Sequence, residues 1–328
     1  KEILADDWVV MLPLIKALKD GERVYICPDS NVKLNGRKIS TLTYWPEEED
    51  SLEITWFKVE TQYMSYSNST GKYFSWAKIN YVEHSFASGW FAWADATPHA
   101  EEIHTPRICR AADGRIVDYD SSMMYPLVAF SPTTGTMRYK VQIVFKGDTF
   151  TSPGSESVAY YGITDKVHRV SKRRDNTIVG FATSFMNLPY IYGSAGDGYN
   201  HQADRYVGAD CADLVTFAYR RYMRHKGLSI NGIYYTRGRD LVKFGKVIVP
   251  LGTISRSSTG FYQMDGEPIP YGAGGVKDGD VVLIYSTSES DHPWHVAMLA
   301  GDRSSSQGPD RGEANGVFDI HDLCIHTL

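Results

Sequence analysis

The sequence contains few cysteines, and none of them lies in a C-x-x-C pair. The four are Cys27, Cys109, Cys211 and Cys324. We therefore expect no zinc site built on paired thiols. Four widely spaced cysteines are also too few to form a disulfide scaffold for a chain of 328 residues. A bridge between Cys27 and Cys109 stays open for an exported protein.

Excess basic charge and long apolar runs are also missing. The formal net charge is −5, whereas a duplex-binding domain usually carries a clear basic excess, so we expect no nucleic-acid partner. The apolar stretch over residues 9–18 is interrupted by Pro13 and Lys16. It is too short to cross a bilayer, so we expect no integral membrane segment. It also lacks the basic region and the cleavage site of a signal peptide.

Motifs for cofactors and metals are absent as well. There is no Walker loop, no G-x-G-x-x-G fingerprint and no G-x-S-x-G elbow. His99 and His104 miss the i, i+4 spacing of a zinc-binding helix by one residue. Asp291 and His292 lie near His295, but His295 has a better explanation, given below. We therefore expect neither a cofactor nor a metal.

Short β-type segments fill the first half of the chain. Hydrophobic residues make up 42% of the composition, which is enough for a packed core. Alternation of apolar and polar residues predicts strands over residues 52–59, 73–82, 89–93 and 137–145. Turn signals such as Asn35-Gly36 separate these strands. We therefore predict an all-β sandwich or barrel over residues 1–165.

The second half has a different pattern. Residues 177–186 favour a helix capped by Asn176, and a second helix begins at Cys211. Strands are predicted over residues 281–285, 295–300 and 317–321. Helices followed by an antiparallel sheet predict an α+β domain over residues 166–328.

Cys211 is predicted at the first position of its helix. Asp210 is a good N-cap residue, and Asp213 follows three positions later, as in a capping box. One apolar helical face follows from the cysteine and comprises Leu214, Val215, Ala218 and Tyr222. Taken alone, this position favours a small buried hydrophobe at the head of a helix over a nucleophile.

The helix N-terminus also suits a nucleophilic cysteine. Its partial positive charge and unpaired N–H groups favour a thiolate and can stabilise an oxyanion. Asp210 and Asp213 oppose the thiolate, so a cationic partner is needed. His295 opens an apolar strand, and we expect the helix of Cys211 to lie beside that end of the strand.

Four motifs in order resemble a known family. PYIYG at residues 189–193, DCADL at 210–214, GDVVLI at 279–284 and HVAMLAGD at 295–302 are similar to the motifs of NlpC-type cell-wall cysteine peptidases. These enzymes belong to the papain-like superfamily and cleave stem peptides of peptidoglycan. The resemblance covers about residues 176–328 and implies a papain-like catalytic domain with an antiparallel sheet.

The resemblance also implies roles for individual residues. It makes Cys211 the nucleophile and His295 the general base. The third triad member follows an isoleucine in a later strand, and we choose His321 in VFDIH, with His326 in CIH as the alternative. Tyr190, Tyr192 and Asp210 match positions that line the substrate site.

The resulting expectation is an exported, monomeric cysteine endopeptidase whose signal peptide is absent from this chain. Its substrate would be the γ-D-glutamyl–diamino-acid bond of peptidoglycan stem peptides. Ala212 and Asp213 replace the Ser and Gly of the family motif. This leaves open an acyltransferase, thioesterase or amidase acting on a lipid or another amide, and a degenerate, non-enzymatic wall-binding protein. The first half would bind cell wall or regulate access to the site.

Overall fold

A computed structural model gives the structure of much of the chain. It describes residues 2–5, 14–16, 23–25, 33–34, 37–38, 52–63, 65–67, 69–70, 73–74, 79–86, 107–112, 115–116, 134–145, 147–196, 201–230, 238–285, 293–303 and 313–327. The predicted strand over residues 89–93 lies outside this part of the chain. So do Cys27, His99, His104, Asp291 and His292.

β-strands dominate the structure, with strand at 41% and helix at 14%. In chain order the strands are β1 (Glu2–Leu4), β2 (Leu14–Lys16), β3 (Arg23–Tyr25), β4 (Lys33–Leu34), β5 (Arg37–Lys38), β6 (Leu52–Thr61), β7 (Ser65–Ser67), β8 (Ser69–Thr70), β9 (Tyr73–Phe74), β10 (Tyr81–Phe86), β11 (Arg107–Ala112), β12 (Arg115–Ile116), β13 (Gly135–Phe145), β14 (Asp148–Thr151), β15 (Val158–Ala159), β16 (Gly162–Ile163), β17 (His168–Arg173), β18 (Tyr190–Tyr192), β19 (Ile254–Arg256), β20 (Tyr262–Met264), β21 (Glu267–Pro268), β22 (Val281–Tyr285), β23 (Pro293–Gly301) and β24 (Leu323–His326).

The predicted α+β class, with a papain-like catalytic domain, is wrong. The helices of the described residues are α1 (Ile178–Thr183), α2 (Cys211–His225) and a 3-10 helix (Gly238–Lys243). The short α1 is capped by Thr177, not by Asn176 as predicted, and it ends at Thr183. Only α2 is long enough to cover a sheet. Much of the packing against the sheets therefore comes from strands and irregular segments. The chain is mostly β.

The first sheet is formed around the two longest strands, β6 and β13. Its order is β1-β17-β13-β6-β10, and β14 also pairs with β13. All of these pairs are antiparallel except β1 with β17, which is parallel. Apolar and polar residues alternate along β6, as the half-buried strand predicted from residue 52 onward requires.

The second sheet carries the C-terminal motifs and is antiparallel throughout, in the order β12-β11-β24-β23-β22. β11 comes from the first half of the chain and pairs with β24, while β17, which lies beyond residue 165, belongs to the first sheet. Strands from each half thus complete both sheets. The division near residue 165 into two domains stays a prediction.

Two hydrophobic cores cover opposite faces of the second sheet. The first contains Val296 and Met298 of β23 together with residues of both α-helices, including Leu214 and Phe217. The second contains Ala297 and Leu299 of the same strand with Tyr262, Ile269 and Phe318. Alternating residues of one buried strand therefore contribute to two cores, which explains why VAMLA, residues 296–300, is apolar throughout.

Predicted and observed elements differ most near the C-terminus. β22 has the bounds predicted for it, and β23 is longer than predicted by residues at both ends. The predicted strand over residues 317–321 is absent: Val317 and Asp319 form isolated bridges, and the strand lies at Leu323–His326. The reason is a turn in which the N–H of Asp319 donates to Asp322 Oδ2 at 2.8 Å.

No described helix combines the length and the apolar character that crossing a membrane requires.

Candidate active site

Cys211 occupies the first position of α2, as the capping signals predict. Asp210 has extended backbone angles, and its Oδ1 accepts the N–H of Asp213 at 2.9 Å. At the other end Gly227 adopts a positive φ of 68°, and the N–H of Leu228 donates to the carbonyl of Met223 at 2.9 Å. Both ends are thus satisfied by local contacts, which define where the helix begins and ends.

The thiol of Cys211 lies against β23. The backbone N–H groups of Val296 and Ala212 lie near enough to the sulfur to lower the pKa of the thiol. Val296 directly follows His295, so α2 and the strand that carries the predicted base meet at the predicted nucleophile. Both N–H groups favour the thiolate over the thiol.

Burial nevertheless keeps the thiol protonated. It raises the pKa of Cys211 to about 12, and the negative charge of Asp210 acts in the same direction. The two N–H donors oppose this rise but do not cancel it. At neutral pH the resting site therefore holds a thiol rather than a thiolate.

His295 is buried, with 2% of its surface exposed. Its Nε2 lies 3.1 Å from Nδ1 of His326, and the two rings meet edge to face at 5.1 Å. Burial lowers the pKa of His295 to about 4, so the imidazole is neutral and one nitrogen is free of a proton. The structure shows no hydrogen bond between this imidazole and the Cys211 thiol, two groups that it describes.

The structure places the alternative histidine, not His321, beside His295. His321 lies in the turn before β24, where its backbone N–H donates to Asp319 Oδ1 at 2.6 Å. His326 is in β24, the neighbour of β23 in the second sheet. Two Ile-His pairs follow His295 in the sequence, and the strand pairing selects the second of them.

Of the two predicted substrate tyrosines, Tyr190 lies closer to the nucleophile. It forms a parallel bridge with Ala209, and the N–H of Ile191 donates to the carbonyl of Ala209 at 3.1 Å. Burial raises the pKa of Tyr190, and electrostatic coupling to Cys211 and Asp210 raises it further. Tyr192 is half exposed at the outer side of the same strand.

A second group of ionisable residues lies at the N-terminus of α2. It consists of Asp210, Asp213 and His201, and Asp210 is one of the predicted substrate residues. Asp210 accepts N–H groups of Ala212, Gly193 and Ser194 in addition to that of Asp213. Burial raises its pKa to about 6 against the effect of these donors. Asp210 is thus the N-cap of the helix and also the nearest charge to the thiol.

Asp213 extends this group into the core. It is fully buried, Ser194 Oγ donates to its Oδ2, and His201 Nε2 lies 3.8 Å from the same oxygen. Burial raises the pKa of Asp213 well above its usual value, and the charge of Asp210 adds to the effect. Burial and mutual repulsion therefore both oppose ionisation of the two carboxyl groups at the same time.

His201 is the third member of the group and lies between Asp213 and Phe217. Its ring stacks on Phe217 at 4.6 Å, and its Nδ1 accepts the N–H of Ala203 at 3.2 Å. Burial lowers the pKa of His201 to about 4, so its imidazole is neutral at neutral pH beside the Asp213 carboxyl group. In the sequence, the signals for this cluster are the departure of Asp213 from the motif and the position of His201 shortly before the nucleophile.

Among the residues whose placement the structure gives, no group of three or more His, Cys, Asp or Glu residues is arranged to hold a metal ion.

Comparisons of the chain with protein-family models, with curated proteins and with solved structures found no match.

Proposed function

We propose that this chain is a cysteine hydrolase that cleaves an amide bond, with Cys211 as nucleophile and His295 as general base. One observation carries the proposal. The Cys211 thiol lies beside the backbone N–H of Val296, the residue that follows His295, and Nε2 of His295 lies 3.1 Å from Nδ1 of His326. The proposal does not depend on a papain-like fold, because catalytic groups are defined by geometry and role.

The reaction would begin from a neutral pair. His295 accepts the thiol proton as the sulfur attacks the amide carbonyl, and the ring moves within hydrogen-bond reach of the thiol during this step. The N–H groups at the start of α2, including that of Ala212, stabilise the oxyanion. The imidazolium then gives its proton to the departing amine. Water, deprotonated by the same imidazole, releases the acyl group and regenerates the thiol.

His326 acts as a positioning residue. A neutral imidazole carries a proton on one nitrogen only, so the neighbour of one nitrogen determines the role of the other. His326 holds Nε2 of His295, which leaves Nδ1 for the thiol. Loss of His326 would release the ring without removing the base.

Peptidoglycan stem peptides are the proposed substrate class, on the strength of the four ordered motifs. The bond would be that between γ-D-glutamate and the diamino acid, which places the enzyme in the cell envelope or outside the cell. Asp210 and Tyr190 lie beside the thiol and would contact the substrate, and Tyr192 would line the approach from solvent.

Mass spectrometry of purified muropeptides incubated with the full chain tests the proposal. We expect new stem-peptide fragments with the wild type and none with Cys211→Ala or His295→Ala. His321→Gln provides a matched control because it changes a histidine away from the proposed pair. Equal cleavage by Cys211→Ala would refute the assignment of the nucleophile.

A non-catalytic wall-binding protein is the second candidate. The raised pKa of Cys211 and the missing thiol–imidazole hydrogen bond favour it. Sedimentation of the protein with insoluble peptidoglycan, without release of fragments and without an effect of Cys211→Ala, would support binding in place of hydrolysis.

A further inference from the structure

One segment of the second half exposes an unusual number of large apolar side chains. It runs from the 3-10 helix into β19, over residues 242–254, and we call it the apolar segment. Its exposed members are Val242 (43%), Phe244 (52%), Val247 (53%), Leu251 (62%) and Ile254 (42%). Exposed apolar residues concentrated in one segment mark an interaction surface more often than scattered single residues do.

The fold holds this segment at the surface. Leu241, just before it, packs against the first core, and Val249, within it, packs against the second core. Between and after these anchors the chain turns twice: the N–H of Phe244 donates to the carbonyl of Leu241 at 3.0 Å, and that of Thr253 to the carbonyl of Pro250 at 3.2 Å. Because the two buried residues and the two turns fix the backbone, the apolar side chains of the segment stay exposed.

The charge of the segment has one sign. No Asp or Glu occurs from residue 241 to residue 264, whereas Lys243, Lys246 and Arg256 lie in that stretch. The chain as a whole carries −5, so this positive stretch stands against the overall charge. Lys243 pairs with Asp240 at 2.5 Å, but its own side chain is exposed to solvent, and ion pairs at the surface are weak.

Apolar side chains interspersed with lysines are suited to the surface of an anionic lipid bilayer. At an anionic bilayer, Phe and Leu side chains enter the boundary between headgroups and acyl chains while Lys side chains reach the phosphates. We propose that the apolar segment docks this protein on the surface of an anionic phospholipid bilayer. The proposal is independent of the hydrolase activity.

Co-sedimentation of the full chain with vesicles tests it. One set of vesicles contains phosphatidylcholine alone, and the other contains phosphatidylcholine with phosphatidylglycerol. We expect binding to the anionic vesicles, weakened by added salt because exposed charges are screened. Lys243→Gln with Lys246→Gln should weaken this binding about 25-fold, since each lysine near such a surface contributes a factor of about five.

Phe244→Ser with Leu251→Ser should reduce binding to the background level. The matched control is Val158→Ser with Tyr160→Ser, which changes two exposed apolar residues elsewhere and should leave binding unchanged. Thermal melts verify that each variant is folded.

Three results would overturn the proposal. The first is equal binding of the wild type to both kinds of vesicle, or to neither. The second is unchanged binding by the Phe244/Leu251 variant. The third is a wild-type dimer that this variant converts to a monomer without vesicles present, because the segment would then be covered by a second copy of the chain.

Discussion

The reactivity of Cys211 provides a direct test of the electrostatics of the site. The perturbation is alkylation by iodoacetamide at pH 8, followed by mass spectrometry that resolves each cysteine. Burial and the charge of Asp210 raise the pKa of Cys211 to about 12. Only the thiolate reacts, so the pKa determines the rate.

The expected magnitude follows from the fraction of thiolate. A cysteine of ordinary pKa, about 8.5, is roughly one-quarter ionised at pH 8, whereas one of pKa about 12 is ionised in roughly one molecule in ten thousand. We expect native Cys211 to react about 2000-fold more slowly than the same cysteine in urea. Its rate should rise about tenfold per pH unit from pH 7 to pH 10, without a plateau.

Removal of the neighbouring charges should reverse part of this effect. Asp210→Asn with Asp213→Asn keeps an N-cap amide and a polar group beside Ser194 but eliminates both carboxyl groups. We expect the native thiol to react roughly tenfold faster, because a fall of one pKa unit is a factor of ten. Asp240→Asn, which neutralises a carboxyl group outside the site, should leave the rate unaltered.

If native Cys211 reacted within about tenfold of the unfolded chain at pH 8, the thiol would already be ionised. The resting site would then contain a thiolate–imidazolium pair, and the neutral starting state proposed above would be wrong.

Three further predictions concern catalysis, packing and pH. His326→Gln should lower kcat/KM on muropeptides at least about 100-fold, and His321→Gln should lower it less than about threefold, because of these two histidines only His326 contacts the proposed base, His295. Similar losses in the two variants would contradict the assignment of His326 as the positioning residue. Leu214→Ala should lower the free energy of unfolding in urea by about 2–5 kcal/mol, since Leu214 is fully buried, whereas the exposed Leu228→Ala should change it by less than about 0.5 kcal/mol. Burial raises the pKa of Asp322 to about 7, so the folded protein retains a proton that the unfolded chain loses above about pH 4. Its contribution to stability therefore falls as pH rises from about 4 to 7, by at most about 1.4 kcal/mol per pH unit, and a wild-type slope retained in Asp322→Asn would contradict this.

Local sequence patterns predicted the start of α2 and both ends of β22. Capping by Asp210, the apolar face after Cys211 and the run VVLIY all act over a few residues. Such signals depend on backbone geometry close by, so they are visible without knowledge of the partners.

Local sequence patterns could not decide between His321 and His326 as the partner of His295. Both follow an isoleucine, and the residues between β23 and β24 do not show by themselves where pairing resumes. The turn at Asp319 and Asp322 postpones the strand, and this brings His326 to His295. The buried contact of Asp213 with His201 likewise joins residues that no short pattern connects.

The sequence by itself determined that Cys211 heads a helix and that His295 lies in a buried strand, because capping and periodicity are local. Only the tertiary structure decided the mostly-β fold, in which β11 from the first half completes the sheet of the second. It also decided that the thiol meets the backbone of Val296, that His326 contacts His295, and that burial holds the thiol protonated. Pairing of distant strands and loss of solvent depend on which segments meet, and short-range residue patterns do not encode this.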